Sequence, residues 1–121
     1  MKILIVDDSK TMRMIVARTL RQAGFDGHAV QEAANGLEAL QAIRASRPDV
    51  VFSDWNMPGM SGPELLAALN AEGHRVHFGF VTSENTPEMK DKAQEAGAAF
   101  FITKPFTAEN FQQALRPMAG R

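Results

Sequence analysis

The chain has 121 residues, a formal net charge of −1 and 45% hydrophobic residues, which is typical of one folded domain. The near-neutral charge gives no electrostatic reason to expect nucleic-acid binding, and the absence of cysteine excludes disulfides and thiolate chemistry. No apolar run approaches the roughly 20 residues of a membrane span, and Ile3 to Val6 is too short for a signal peptide. We therefore expect a single domain over residues 1–121, in the cytoplasm, with no attached effector domain and no membrane partner.

Five apolar segments rich in β-branched and aromatic residues predict five strands. In chain order they are Lys2 to Val6, Gly27 to Ala34, Val50 to Phe52, Arg75 to Thr82 and Ala99 to Thr103. The second is the weakest, because its small and apolar residues alternate with polar ones. The last, with Phe100, Phe101 and Ile102 in sequence, is expected to be buried.

A helical pattern follows each strand. Ser9 is a good N-cap for the first helix, and Asn35-Gly36 predicts a turn before the second. The second helix is expected to bury one face that holds Leu37, Leu40 and Ile43. The repeated alternation of strand and helix predicts a parallel sheet with helices on both faces, and right-handed crossovers leave few possible topologies.

Polar side chains follow four of these strands at the point where each apolar run stops. They are Asp7 and Asp8, then Asp54, then Thr82 and Ser83, and finally Lys104. The carboxyl ends of parallel strands lie along one edge of the sheet, so we expect these residues to converge there. Taken singly, each has a plainer interpretation: helix cap, strand end or solvated turn. The joint pattern at one sheet edge favours a site.

Three ionised carboxylates in one pocket repel one another, and a divalent cation removes that cost. Carboxylate and carbonyl oxygens are hard ligands that suit Mg²⁺, with water in the remaining positions. Lys104 adds a positive charge, and the Thr82 hydroxyl can donate to a phosphate oxygen. Such a site fits phosphoryl transfer, and Asp54, after the central strand, is the best candidate for an aspartyl-phosphate nucleophile.

With these residues in place, the chain resembles the receiver domains of two-component response regulators, and within them the single-domain chemotaxis regulators of the CheY type. The resemblance covers essentially the whole chain and rests on four motifs: Val6-Asp7-Asp8-Ser9, Asp54 to Gly62, Thr82-Ser83 and Lys104-Pro105-Phe106. It implies an α/β fold of the flavodoxin-like (CheY-like) type, a doubly wound five-stranded parallel sheet with strand order 2-1-3-4-5.

The resemblance also implies roles for the residues of the site. Asp54 would accept a phosphoryl group from a phosphohistidine on a sensor histidine kinase. Asp8, Asp54 and the backbone carbonyl of Asn56 would bind Mg²⁺, and Asp7 would assist largely through water. Lys104 would contact the phosphoryl group, with a cis peptide bond before Pro105.

Four further positions would control the signal. Thr82 would move toward the phosphoryl group and start the switch. Asn56 and Glu84 would tune the rate at which the phosphoryl group is lost. The switch aromatic is Phe101, where the family often has tyrosine, so it lacks a hydroxyl group. That departure implies a less two-state switch or a different partner surface, unless Phe101 is only part of the core.

The function expected from the resemblance is a phosphorylation-controlled binding module that catalyses its own phosphorylation and autodephosphorylation, not a classical enzyme. Its output partner would be a flagellar motor switch component. As alternatives, the protein would pass the phosphoryl group to a phosphotransfer protein in a phosphorelay, or act as a phosphate sink. Two other classes of function compete with this one. The first is a phosphatase that acts on external substrates, which would require a second acid after Asp54 and a cap domain. The second is a receiver domain that signals without phosphate. Trp55 and Asn56 at those positions disfavour the phosphatase, and the complete set of acids, threonine and lysine disfavours the second.

Overall fold

The computed structural model describes residues 1–25 and 27–118 of the chain. Its strands are β1 (Lys2–Val6), β2 (Ala29–Ala33), β3 (Val50–Ser53), β4 (His77–Thr82) and β5 (Phe100–Thr103). Its helices are α1 (Lys10–Gln22), α2 (Gly36–Ala45), α3 (Gly62–Ala71), α4 (Pro87–Glu95) and α5 (Ala108–Ala114), followed by a 3₁₀ turn (Arg116–Met118). The five strands form one parallel sheet in the order β2-β1-β3-β4-β5, which confirms the expected architecture.

Alternate side chains of the central strands pack into two separate hydrophobic cores, one on each face of the sheet. Leu4 and Val6 of β1 pack with α2, α3 and α4, whereas Ile3 and Ile5 pack with α1 and α5. This alternation is the period of two that a strand imposes on its side chains. Because both faces are covered, β1 and β3 are almost entirely buried, and their carboxyl ends are held in fixed positions.

Three strands are shorter than the sequence predicts, β2 and β4 by two residues or more and β5 by one, since a strand lasts only where a neighbouring strand can pair with it. β2 begins at Ala29, opposite Lys2 of β1, and β4 begins at His77, opposite Val50 of β3. The prediction that β5 is buried holds for Ile102 but is wrong for Phe100 and Phe101, which are half-buried because β5 is an edge strand.

The structure refines one expectation for α2 and contradicts another. The chain bends at Asn35 as predicted, but Gly36 already belongs to the helix, and Asn35 is its N-cap, with its side-chain oxygen accepting the Glu38 N–H at 2.9 Å. Leu37 is 58% exposed, whereas Gly36, Ala39, Leu40 and Ile43 are buried. Successive residues of a helix are about 100° apart, so Leu37 is turned away from the face that begins at Gly36. Within the described part of the chain, no helix combines the length and the apolar character that crossing a membrane requires.

Candidate functional site

Three aspartates meet where β1 and β3 end side by side. The carboxylates of Asp7, Asp8 and Asp54 each offer an oxygen, and these oxygens lie within 4.8 Å of one another. The sheet register places them there, because Val6 pairs with Ser53, the residue before Asp54. Asp7 is buried, Asp54 is half-buried and Asp8 is exposed, so the pocket opens to solvent on the side of Asp8. The predicted convergence of the three acids is therefore seen.

Lys104 reaches the same pocket from the end of β5. Its Nζ lies 3.3 Å from Oδ2 of Asp7 and 3.9 Å from Oδ1 of Asp54. The Lys104 side chain is only 16% exposed, so both interactions are partly shielded from solvent. A single ammonium group cannot balance three carboxylates, and the pocket keeps a net negative charge. In this respect the cluster suits a divalent cation with oxygen ligands.

The surroundings of Asp54 shift its pKa. Burial raises the pKa of Asp54 above its ordinary value of 3.8, and the nearby charges of Asp7 and Asp8 raise it further. The Lys104 charge and the Trp55 backbone N–H, which donates to Asp54 Oδ1 at 2.8 Å, act in the opposite direction. The carboxylate is therefore held in one orientation by its neighbours while the pocket disfavours its charge.

The other predicted residues form a second group beside the acids. The Asn56 side-chain amide donates to Glu84 Oε1 at 2.8 Å, which joins the loop after β3 to the loop after β4. Thr82 is buried, and its hydroxyl accepts the Glu84 backbone N–H at 3.3 Å. Both Asn56 and Glu84 are exposed, so this bond lies at the outer rim of the pocket.

Phe101 belongs to an aromatic group on the β4–β5 side of the sheet. Its ring centroid is 6.1 Å from that of Trp55 and 6.3 Å from that of Phe80, and Trp55 itself lies 4.8 Å from Phe80. In the register of the sheet Phe101 pairs with Phe80, so it projects on the same face as Thr82, two residues further along β4. A contiguous path thus runs from Asp54 through Trp55 to Phe101.

Sequence reasoning missed two contributors to the site, Trp55 and Arg13. Trp55 contacts Asp54 through its backbone and Phe101 through its ring; an aromatic residue directly after the candidate nucleophile was the available signal. The Arg13 guanidinium donates to the backbone carbonyl of Asp7 at 2.6 Å. No sequence signal singled out Arg13, because it lies among other basic residues on a surface helix. The cis peptide bond expected before Pro105 is present.

Comparison with known proteins agrees with this geometry. A family model described as the response regulator receiver domain matches residues 3–116. The chain is 44% identical over 117 residues to chemotaxis protein CheY-3 of Vibrio cholerae serotype O1, which covers 95% of this chain and 88% of that protein. It is 39% identical over 123 residues to chemotaxis protein CheY of Pseudomonas aeruginosa, covering 100% and 98% of the two chains. The structure of chemotaxis protein CheY4 of Vibrio cholerae superposes with a TM-score of 0.83 at 36% identity, over 96% of each chain.

Proposed function

The chain belongs to the response regulator receiver domain family, and on that premise we propose that Asp54 accepts a phosphoryl group from a phosphohistidine of a sensor histidine kinase. Receiver domains are signalling proteins rather than classical enzymes, so the chemistry serves a switch. The observation that carries the proposal is the cluster of three aspartates with Lys104 Nζ within 4 Å of two of them.

In the proposed transfer, a carboxylate oxygen of Asp54 attacks the phosphorus atom while the phosphorus–nitrogen bond of the phosphohistidine breaks. The leaving imidazole takes the bonding electron pair and is left as neutral histidine after proton uptake. Lys104 faces the side of Asp54 where charge builds on the phosphoryl oxygens. The Trp55 N–H fixes the carboxylate, so the attacking oxygen needs little reorientation.

The acidic pocket fits a magnesium ion as part of this proposal. Asp7, Asp8 and Asp54 would hold it, with the backbone carbonyl of Asn56 as a further ligand. Few protein ligands leave positions for water and for a phosphoryl oxygen, as magnesium sites in phosphoryl transfer require. When bound, the ion neutralises charge on the transferring phosphoryl group.

Loss of the phosphoryl group would follow attack of water on phosphorus, with inorganic phosphate released and the Asp54 carboxylate restored. We propose that Asn56 and Glu84 tune this step, because their hydrogen bond spans the rim of the pocket beside Asp54. A closed rim limits the approach of water, whereas an open rim admits it. The two residues would therefore set how long the signal lasts.

The output face in this proposal is built from α4, β5 and α5. A phosphoryl group on Asp54 would draw the Thr82 hydroxyl toward it, because a hydrogen bond to a charged acceptor is stronger than the present bond to the Glu84 N–H. Phe101 shares the sheet face of Thr82 and could then fill the space that Thr82 leaves. Phe101 also lines a groove between α4 and β5, together with Lys90, Ala93, Gln94 and Ala98, so a shift of its ring would reshape that surface.

For the biological role we propose chemotaxis, with a flagellar motor switch component as the output partner. The support is that the relatives at 44% and 39% identity are chemotaxis proteins and that each aligns over nearly all of this chain. A pull-down from extract of the source cells, comparing protein bound to beryllofluoride with free protein, would identify the partner. Enrichment of a phosphotransfer protein rather than a motor component would reassign the output to a phosphorelay.

The phosphoryl acceptor is tested by incubating the protein with acetyl phosphate, with and without Mg²⁺, and measuring the intact mass. We expect one phosphoryl group per chain, only when Mg²⁺ is present, and none on Asp54→Ala. Asp91→Ala is the matched control, because Asp91 is an exposed aspartate on α4. Undiminished labelling of Asp54→Ala, or labelling that a chelator leaves unchanged, would rule the assignment out.

A further inference from the structure

Arg13 is turned inward from α1, unlike the exposed Arg18 and Arg21 on the same helix. Its side chain is 14% exposed. Nη1 donates to the backbone oxygen of Asp7 at 2.6 Å, and Nε donates to Oε1 of Glu32 at 2.9 Å. One guanidinium group therefore joins three elements: α1, the end of β1 and the edge strand β2.

Asp7, at the centre of these contacts, is held at every polar atom. Its backbone N–H donates to the Ala33 oxygen at 3.1 Å, and its Oδ1 accepts the Ser9 N–H at 2.9 Å. Its Oδ2 lies 3.3 Å from Lys104 Nζ. The remaining polar atom of Asp7 is its backbone oxygen. Asp7 follows Val6, the last paired residue of β1, and Arg13 donates a hydrogen bond to this oxygen.

The other arm of Arg13 acts on a strand that burial does not secure. Four of the five residues of β2 are exposed, and only Ala33 is buried. Ala33 and Glu32 are adjacent in β2, and each is tied to Asp7, the first directly and the second through Arg13. The edge strand and the first acid of the pocket are thus fixed as a unit.

We propose that Arg13 is a positioning residue of the acidic pocket, which sets the direction of the Asp7 and Asp8 carboxylates by clamping the Asp7 backbone against β2. This inference rests on the proposed function, since it concerns the affinity of that pocket for Mg²⁺. Partners that orient metal ligands typically account for about 10–100-fold in metal affinity. The clamp needs two donor atoms that point in different directions, which a guanidinium has and an ammonium lacks.

A purely electrostatic role predicts the opposite sign. Arg13 is a cation bonded to the Asp7 backbone, so if only its charge mattered, its removal would make the pocket more negative and bind Mg²⁺ more tightly. If Arg13 positions the acids, its removal weakens binding even though a competing positive charge is gone. The direction of the change in affinity therefore separates the two explanations.

The experiment uses the full chain with Arg13→Gln, Arg13→Lys and, as matched control, Arg18→Gln, which removes the same charge from an exposed position of α1. Mg²⁺ dissociation constants come from NMR titration with MgCl₂. Amide hydrogen exchange of Asp7 and Ser9 is followed in metal-free protein. We expect both Arg13 variants to bind Mg²⁺ about tenfold more weakly and to exchange these amides about tenfold faster, with Arg18→Gln within about twofold of wild type.

Three results would overturn the inference: tighter or unchanged Mg²⁺ binding in Arg13→Gln, full rescue by Arg13→Lys, or unchanged exchange at Asp7 and Ser9. If Arg13→Gln fails to fold, Glu32→Ala decides, with about threefold weaker binding expected and an unchanged dissociation constant contradicting the clamp. Failure of the wild-type protein to bind Mg²⁺ would instead count against the proposed function. The exchange rates in metal-free protein would still test the clamp in that case.

Discussion

The acid pocket, formed by Asp7, Asp8, Asp54 and Lys104, and the outer layer, formed by α4 and β5, are built differently. The pocket stands on β1 and β3, where all residues except Lys2 are buried. In the outer layer only Ala93 of α4 and Ile102 of β5 are buried. One region is fixed by burial on both faces of the sheet, and the other is an edge with a surface groove.

This difference separates chemistry from response. Segments with few buried contacts open and rearrange at a lower free-energy cost than core strands. The proposed phosphoryl site needs fixed geometry, which the central strands provide. A surface that changes shape needs a small free-energy difference between two packings. We infer that the pocket changes charge without moving much, and that the outer layer moves because its alternative packing is close in free energy.

The largest effect is expected where the two regions meet, at Gly79 of β4. A Cβ at this position would overlap the Phe100 ring on β5. Gly79→Ala should therefore lower the free energy of unfolding by about 2 kcal/mol, because the ring must leave its place against Phe52. Urea unfolding measures the loss, while the Mg²⁺ affinity of the pocket should stay within about twofold of wild type.

The Phe100→Ala background supplies the control for this prediction. Without the ring, the added methyl group has room, so Gly79→Ala should cost less there and the double-mutant cycle should show coupling. A Gly79→Ala protein within about 0.5 kcal/mol of wild type would show that the outer layer adapts even more easily than proposed.

The next effect concerns the charge of the pocket. Asp8→Asn should weaken Mg²⁺ binding by at least about tenfold, because it removes an anionic ligand. It should leave the metal-free protein equally stable or slightly more stable, by up to about 0.5 kcal/mol, since one of three like charges is removed. Ser9 is the N-cap of α1, with Oγ accepting the Met12 N–H at 3.2 Å, so the cap survives the change. A clear loss of metal-free stability would instead make Asp8 a structural residue.

A pH dependence follows from Asp54. Because its pKa is raised in the folded protein, the folded state holds this proton more readily than the unfolded state does. Ionised Asp54 therefore destabilises the metal-free fold at neutral pH, and the penalty is lost as the pH falls through the folded pKa toward 3.8, the ordinary value. Asp54→Asn should be more stable than wild type at pH 7, by about 1 kcal/mol or less.

Thermal or urea unfolding from pH 7 to pH 4 in the presence of chelator measures this difference. The stability advantage of Asp54→Asn over wild type should become smaller as the pH falls. An advantage of Asp54→Asn that is constant over this range, or that grows as the pH falls, would show that the carboxylate charge is not what the pocket disfavours.

The sequence predicts the pocket better than the outer layer, for a physical reason. The carboxyl ends of strands in a parallel sheet share one edge whatever the details of packing, so the sequence alone predicts that Asp7, Asp54 and Lys104 converge. In the outer layer, the half-burial of Phe100 depends on which neighbours cover it, and periodicity alone does not contain this information. The same holds for the exposure of Leu37 on α2. The sequence does not identify Arg13, because its proposed positioning role depends on a tertiary contact with Glu32.

The smallest effect is expected at Phe101, where the outer layer begins. Phe101→Tyr adds a hydroxyl to a half-buried ring that can reach the surface, so stability should change by less than about 0.5 kcal/mol. The rate of labelling by acetyl phosphate should stay within about twofold, since the ring packs against Trp55 and Phe80. The affinity for the output partner, measured once that protein is identified by the pull-down, should change more than this rate does. Equal effects on both quantities, or none on binding, would make Phe101 an ordinary core residue.

The central claim, that charge at the fixed pocket is transmitted to the loose outer layer through Thr82 and Phe101, is tested most directly by NMR shift mapping with beryllofluoride. This group stands in for the phosphoryl group on Asp54. We predict shifts both in the pocket and across residues 88 to 106, and loss of the second set in Thr82→Ala while the pocket shifts remain. Shifts confined to the pocket in the wild-type protein, or an unchanged response in Thr82→Ala, would contradict the account.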